Sequence, residues 1–321
     1  MSRSRTPASS RRSPEVTWNP LELPSQAGKT FVVTGGNAGI GYFISEQLTG
    51  AGARVVIAAR NPTKADAAIT AIHSRQPGAQ LSSVVLDLAS YASVRAAATE
   101  LASLDRIDGI IENAGMVVPT KRREETVDGN ELMFGTNHLG HFLLTALIFP
   151  TLATTPGSRI VTMGSGATRL VALNPDDLQS TGRFRSFAAY AQSKHATQAF
   201  GFELDRRLRA TGSSVTALVA HPGGGQDGNS PERPGVMEPT AGQRARATLL
   251  FFVGGGKDKA AWFAVRAATD PDAEGGQYWG PRGNITGQPV LAKPVQSSHA
   301  ESFGRRLWSE SERLVGETFA L

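Results

Sequence analysis

The stretch Lys29-Thr30-Phe31-Val32-Val33-Thr34-Gly35-Gly36-Asn37-Ala38-Gly39-Ile40-Gly41 decides how the rest of the chain is read. Residues 29–34 are an apolar, β-favouring run, the composition of a buried strand. Glycines come next, and Phe43, Ile44, Gln47 and Leu48 then continue at helical spacing to a stop at Gly50 and Gly52. A strand, a glycine turn and a helix N-terminus in that order make an anion site. Glycine lets the backbone approach a ligand closely, and the first helical turn presents unpaired N–H groups to a pyrophosphate. The spacing of Gly35, Gly39 and Gly41 is T-G-x-x-x-G-x-G rather than G-x-G-x-x-G, and alone it describes only a tight turn.

Its meaning comes from the pattern of the chain beyond it. Short apolar runs at 54–59, 81–86, 107–111, 159–163 and 215–220 alternate with helical stretches at 63–74, 90–103, 128–151 and 187–210. Such alternation implies a parallel sheet with right-handed crossovers. The expected fold is α/β: one Rossmann-like, doubly wound parallel sheet of about seven strands with helices on both faces, in a single domain over 29–321. Residues 224–240 are polar and rich in Gly and Pro, and read as a mobile substrate loop. Helices are expected at 241–253 and 257–269, a last strand at 276–279 and a C-terminal helix at 299–315. Phe251, Phe252, Trp262 and Phe263 suit either a pocket lining or the core under the sheet.

The composition sets bounds. A chain of 321 residues with 40% hydrophobic content is long enough for a sizeable core. With zero Cys it has no disulfide, thiolate metal site or cysteine nucleophile, and no His/Asp/Glu cluster has metal-ligand spacing. The net charge of +5 owes much to Arg3, Arg5, Arg11 and Arg12, in a Ser/Pro-rich segment that reads, through residue 28, as a disordered tail and approach. Trp18 and Leu21 are expected to pack on the domain. That location argues for a solvated tail rather than a nucleic-acid partner, and the segment has no apolar core of a secretory signal. The apolar runs at 142–150 and 249–253 fall short of the roughly 20 residues of a membrane span. The expected placement is cytoplasmic.

The end of the second strand bears on the nucleotide. Ala58-Ala59-Arg60-Asn61 carries a guanidinium where an NAD site usually carries an acid. A guanidinium there can pair with a 2′-phosphate, which favours NADP(H) over NAD(H). Lys64 reads as solvated. Asp87, after the third strand, suits an adenine contact, the N-cap of the next helix, or both. Farther on, Tyr190 and Lys194 stand four residues apart and share a helix face. A nearby ammonium favours a phenolate, so the pair could exchange a proton near neutrality; alone, the spacing describes an exposed helix face equally well.

In combination these motifs closely resemble the short-chain dehydrogenase/reductase family. The matches run in order through Thr34–Gly41, Asp87, Asn113-Ala114-Gly115, Asn137, Ser165, Tyr190/Lys194 and His221-Pro222-Gly223, over residues 28–280. The stretch 134–142, Arg60 and the long Ser165–Tyr190 spacing resemble the retinol dehydrogenase-like and protochlorophyllide reductase-like branch. The resemblance implies an oxidoreductase that interconverts a carbonyl and an alcohol on a small lipophilic or secondary-metabolic substrate. Tyr190 would be the general acid/base, and Lys194 would lower its pKa and bind the nicotinamide ribose. Ser165 would hold the substrate oxygen, and Asn137 a helix bend and a relay water. Cofactor binding would fall to Gly35, Asn37, Gly39, Ile40, Gly41, Arg60, Asp87, Leu88, Asn113, Ala114, Gly115, Tyr190, Lys194, Pro222 and Gly223. Homodimers, homotetramers and monomers all fit the family. Epimerisation or dehydration on the same site, and a non-catalytic NADP(H)-binding sensor, stay open as alternatives.

Three positions depart from the family pattern. Glu112 stands where Asn is usual, Gly164 where Ser is usual, and Asp227 near a Thr that contacts the cofactor. A carboxylate beside phosphates is repelled, so either the loop takes another path or Asp227 faces solvent. His195 reads as a helix neighbour, His221 as part of its turn, and His138 and His141 as packing or surface residues.

Overall fold

The computed structural model describes residues 18–19, 22–249 and 254–321. The expectations for the tail over 1–17, for Leu21 and for Phe251 and Phe252 concern residues outside that set.

Strand β1 (Thr30–Thr34) is buried along its length. Its side chains alternate between two cores: Val32 packs with Val56, Ala58 and Ile110, whereas Phe31 and Val33 pack with Val55, Ile57 and Ile111. Burial on both faces is why these strands read as unbroken apolar runs. Next in the chain are β2 (Arg54–Ala59), β3 (Gln80–Val85), β4 (Gly109–Glu112), β5 (Arg159–Met163) and β6 (Thr216–Ala220). Two short strands, β7 (Gly225–Gln226) and β8 (Gly255–Gly256), pair apart from the main sheet, and β9 (Tyr278–Pro281) and β10 (Pro289–Leu291) return to it. The main sheet has 8 strands in the order β10-β9-β6-β5-β4-β1-β2-β3. Every pairing is parallel except β9 with β10. The additional strand, β10, is a Pro-led edge segment of 3 residues, too short to carry a periodic signal.

One face is covered by α1 (Gly39–Gly50) and α2 (Pro62–His73), the other by α3 (Tyr91–Ala102), α4 (Leu132–Ala153) and α5 (Ser186–Ala210). Later in the chain come α6 (Ala241–Leu249), α7 (Lys257–Thr269) on the α1 side and α8 (Glu301–Val315) on the α5 side. Helix α2 starts where the Asn61 side chain accepts from Lys64 N at 3.0 Å and Pro62 opens the first turn. The cap of α3 is Ser90, not Asp87; Asp87 instead accepts from Ala89 N and donates its own N–H to Ser93 Oγ.

Helix α4 begins later than expected and contains a π-helical turn, Gly135–Leu139. It has 22 residues and a mean hydropathy of 1.3 over its most apolar window. By length and composition it would suffice to cross a membrane, which corrects the reading that nothing in the chain approaches a span. Thr, Asn and His interrupt the apolar run without adding formal charge at neutral pH, and 78% of that window is buried in the fold. The helix packs inside the α5-side core through Phe142, Leu143, Leu144 and Ile148.

The 224–240 segment, read as a mobile loop, is tied to α1 at one point. Arg233 is 8% exposed and forms a two-pronged ion pair with Glu46 of α1, at 2.6 and 2.9 Å. Polar, glycine-rich sequence shows that a segment lacks a periodic core face; it does not reveal a single long-range ion pair. Trp262 meets Trp18 edge to face at 6.3 Å, and Phe263 is buried in the α1-side core, so both are packing residues.

Candidate active site

A cleft of about 780 Å³ opens at the C-terminal edge of the sheet, where β1 has β4 on one side and β2 on the other. Such a reversal of strand order is where doubly wound sheets leave a crevice for ligands. Its floor is the glycine turn. Gly35 and Gly39 have φ of +65° and +58°, the left-handed region that favours glycine. At Gly41 the constraint is space: a Cβ there would lie 2.2 Å from the Gly35 carbonyl oxygen and 2.4 Å from Asn113 Nδ2. Asn113 Nδ2 donates to Thr34 O and Ala114 N donates to Thr34 Oγ1, both at 2.9 Å. These bonds join the ends of β1 and β4 and hold the turn open. The cradle therefore fits a dinucleotide's pyrophosphate: Gly35 and Gly39 leave its backbone bare toward the cleft, and Gly41 has no room for a side chain beneath it.

Of the residues singled out in the sequence, Gly35, Asn37, Gly39, Ile40, Arg60, Asp87, Leu88, Asn113, Ala114, Gly115, Ser165, Tyr190, Lys194, Pro222 and Gly223 all line the cleft. Gly41 lies beneath the turn and Asn137 behind the wall; both are buried. Arg60 is exposed at the end of β2, with no carboxylate paired to it among the described residues. Lys64 is exposed and does not line the cleft.

Tyr190 Oη lies 3.4 Å from Ser165 Oγ, the two side chains coming from α5 and from the loop after β5. Burial pushes the Tyr190 phenol up, and its contact with Ser165 opposes that shift. Lys194 donates to the Met163 carbonyl at 2.8 Å. Burial pushes the Lys194 ammonium down to about 8, against the attraction of Glu112. Glu112 is 1% exposed at the end of β4, and burial pushes it up to about 7 despite a 2.5 Å bond from Thr145 Oγ1 and the charge of Lys194. Its other oxygen has no hydrogen-bond partner.

Asn137 sits in the π-helical turn of α4. Its Oδ1 accepts from Met116 N at 2.8 Å, and its Nδ2 faces Met116 O and Ser193 Oγ at 3.0 and 2.9 Å. The Asn137 carbonyl accepts from Thr197 Oγ1 and faces His141 Nδ1, both at 3.1 Å. One residue therefore clamps the wall segment at Met116 to α5. A Cβ on Gly115 would stand 3.2 Å from Asn137 Oδ1 and 3.5 Å from Lys194 Nζ, so that wall approaches the basic group closely.

The four histidines singled out in the sequence are structural. His141 bridges to Thr34 Oγ1 at 2.9 Å, His138 faces Ser311, and His195 lies between Ser298 and Val171. His221 stacks on Tyr278, accepts from Gly223 N, and is pushed down to about 4 by burial.

Two contributors were missed. Gln198 carries no motif of its own, yet its Nε2 donates to the Ser165 carbonyl at 3.2 Å. Gly164 has a reason to replace Ser, because a Cβ there would come 2.8 Å from Gln198 Nε2. Lys257 also lines the cleft, and it pairs with Asp227. No local pattern marks Lys257, since its neighbour in space is far away in sequence.

Comparison with known proteins shows the family. The family model for short chain dehydrogenase matches residues 29–228. A polyprenol dehydrogenase of Mus musculus is 35% identical over 304 residues, 93% of this chain and 87% of that protein. Retinol dehydrogenase 13 of Homo sapiens is 34% identical over 300 residues, 91% of this chain and 87% of that protein. Among solved structures, an uncharacterized protein from Mycobacterium paratuberculosis is 34% identical with a TM-score of 0.77, covering 95% of this chain and 100% of its own. The RhlG/NADP complex of Pseudomonas aeruginosa, 24% identical with a TM-score of 0.59 over 79% of this chain and 94% of its own, shares the fold. The expectation of a cytoplasmic protein does not stand. It rested on the lack of a leader and of an apolar span, whereas relatives matching nine-tenths of the chain are named for polyprenol and retinol, alcohols that reside in membranes. With its glycine turn, its Ser165–Tyr190 contact and these matches, the chain belongs to the short-chain dehydrogenase family.

Proposed function

We propose that the protein is an NADP(H)-dependent oxidoreductase that interconverts an alcohol and a carbonyl on a lipophilic substrate of the retinoid or polyprenoid class, with Tyr190 moving the proton. The observation that carries the reading is the 3.4 Å approach of Tyr190 Oη to Ser165 Oγ, in a cleft that also holds Lys194 and the glycine turn. The nicotinamide, when bound, supplies or accepts the hydride.

Every other step belongs to side chains of this chain. In reduction the Tyr190 hydroxyl gives its proton to the carbonyl oxygen, and burial favours that protonated form. Ser165 donates a hydrogen bond to the same oxygen, where negative charge develops. In oxidation Tyr190 takes the alcohol proton, and the Lys194 ammonium on the same helix face favours the phenolate this requires. Asn137 holds the wall at Met116 and Ser193 in place for both directions. Arg60 pairs with the 2′-phosphate; its support is an exposed guanidinium in the cleft with no acid in 58–61 to bind ribose hydroxyls. The lipid class of substrate is supported by the polyprenol and retinol dehydrogenases.

The test is near-ultraviolet absorbance of the reduced cofactor, monitored with a panel of polyprenoid and retinoid alcohols and aldehydes, for the wild type and Tyr190→Phe. Turnover that Tyr190→Phe removes supports the reading. Tight NADPH binding without turnover on any member of the panel would overturn it. Arg60→Asp should move preference from NADP(H) toward NAD(H), and an unchanged ratio would remove Arg60 from the site.

A further inference from the structure

Asp227 lies close to where the cofactor phosphates belong, yet it does not face solvent alone. Strands β7 and β8 pair in parallel, Gly225 with Gly255 and Gln226 with Gly256. The next residue on each strand is charged, Asp227 on one and Lys257 on the other, and the two form an ion pair. Glycine makes the crossing possible: a Cβ on Gly254 would lie 2.3 Å from the Gly224 carbonyl, and one on Gly256 2.5 Å from the Asn229 carbonyl. Asp227 and Lys257 are thus set side by side by backbone pairing.

The lysine also reaches the glycine turn. The nearest atom to a Cβ built on Gly39 would be Lys257 Nζ, at 3.8 Å. A Cβ on Gly225 would lie 3.4 Å from Lys257 Cγ and 3.7 Å from Ile40 Cδ1, so the lysine stem runs along the cleft wall. Lys257 is the first residue of α7, where the helix dipole disfavours a cation. An ammonium and the first turn of α7 therefore lie beside the glycine turn, with the half-exposed Asp227 carboxylate against the ammonium.

We propose that Lys257 is a pyrophosphate-binding residue of the cofactor site and that Asp227 holds it over the glycine turn until the phosphates arrive. The inference rests on the nicotinamide-dinucleotide reading above. It accounts for the carboxylate at a position where one alone would repel phosphate: the pair is neutral overall, and the ammonium is the member that faces Gly39. When the phosphates bind, Lys257 gains a second anionic partner and Asp227 remains as a moderate repulsive charge.

Direct titration of cofactor, by the fluorescence of NADPH and without substrate, tests this. Lys257→Met should raise the Kd for NADPH about tenfold, the loss of one charge-assisted contact. It should also flatten the dependence of Kd on salt. Lys257→Arg should stay near the wild type, and Asp227→Asn should tighten binding severalfold by removing the opposing charge. Adenosine 2′-monophosphate, which lacks the pyrophosphate, should bind all four proteins alike. Should Lys257→Met fail to fold, Lys257→Arg and Asp227→Asn carry the test by the same readouts. An unchanged NADPH Kd in folded Lys257→Met, weaker binding in Asp227→Asn, or equal losses for both ligands would overturn the inference and leave the cofactor reading intact. A wild type that binds no nicotinamide nucleotide would overturn both.

Discussion

Two glycine-rich turns face one another across the cleft, and they use glycine for different reasons. In the turn after β1, Gly35 and Gly39 take positive φ and leave the backbone bare toward the ligand space. In the opposite lip, the glycines at 224–228 and 254–256 let two stretches of backbone cross; a Cβ on Gly228 would meet the Gln243 carbonyl at 2.1 Å. The first turn is local, complete within a few residues of sequence. The second depends on partners elsewhere: Arg233 reaches Glu46, and Lys257 reaches Asp227. Similar composition thus gives a ligand cradle in one place and a structural strap in the other.

Tyr190 belongs to neither lip, and it should show the largest effect. Tyr190→Phe is expected to lower turnover by about 10²–10⁴-fold, the worth of a positioned acid/base, with melting unchanged and a far smaller effect on NADPH affinity. A parallel loss of affinity would mean that the phenol supports the cleft instead of the chemistry. The strap comes next. Removing one member of a buried pair costs about 3 kcal/mol, so Arg233→Met should reduce stability by that order in urea unfolding. The double variant Glu46→Met/Arg233→Met should recover much of the loss. If the single variant is neutral, the strap is held by something other than this pair.

A third test concerns the buried acid at the end of β4. Glu112 has a folded pKa raised from 4.5 to about 7. A raised carboxyl pKa means that the folded state binds the extra proton, so its stabilising effect is full below about 4.5 and lost as pH rises through about 7. The loss is about 3 kcal/mol at about 1.4 kcal/mol per pKa unit. His138, His141 and His221 are all pushed down and act in the opposite sense, losing stability as pH falls below the ordinary histidine range. The difference between wild type and Glu112→Gln isolates the carboxyl. The variant should gain on the wild type between pH 4.5 and 7, and parallel stability curves would remove Glu112 from the account.

The smallest effects separate the two uses of glycine. Gly254→Ala places a methyl against a carbonyl and should cost about 2 kcal/mol, as overpacking does. Gly39→Ala has open space, with nothing nearer than Lys257 Nζ, and should cost only about 1 kcal/mol for its left-handed backbone. Equal costs, read from melting curves, would erase the distinction.

Much of the nucleotide half is legible from sequence because its signals are short. The β1 run, the turn and α1 are consecutive, and the two-sided burial of the strands appears directly as unbroken apolar residues. Arg60, Asp87 and Asn113 stand at strand ends, so placing the strands places them at the cleft. Tyr190 and Lys194 share a helix face by spacing alone. What spacing cannot supply is surroundings: the phenol is pushed up by burial, and the ammonium is bonded to Met163.

The sequence by itself determined the order of strands and helices, the glycine cradle and the identity of the groups that could move a proton, because each depends on residues within a turn or two of one another. Tertiary structure alone decided the rest. It set the cap of α3, the edge strand β10, the anchoring of 224–240, the buried acid at Glu112 and the pairing of Asp227 with Lys257. Those features depend on contacts between distant segments and on the loss of water around charged groups, neither of which leaves a pattern along the chain.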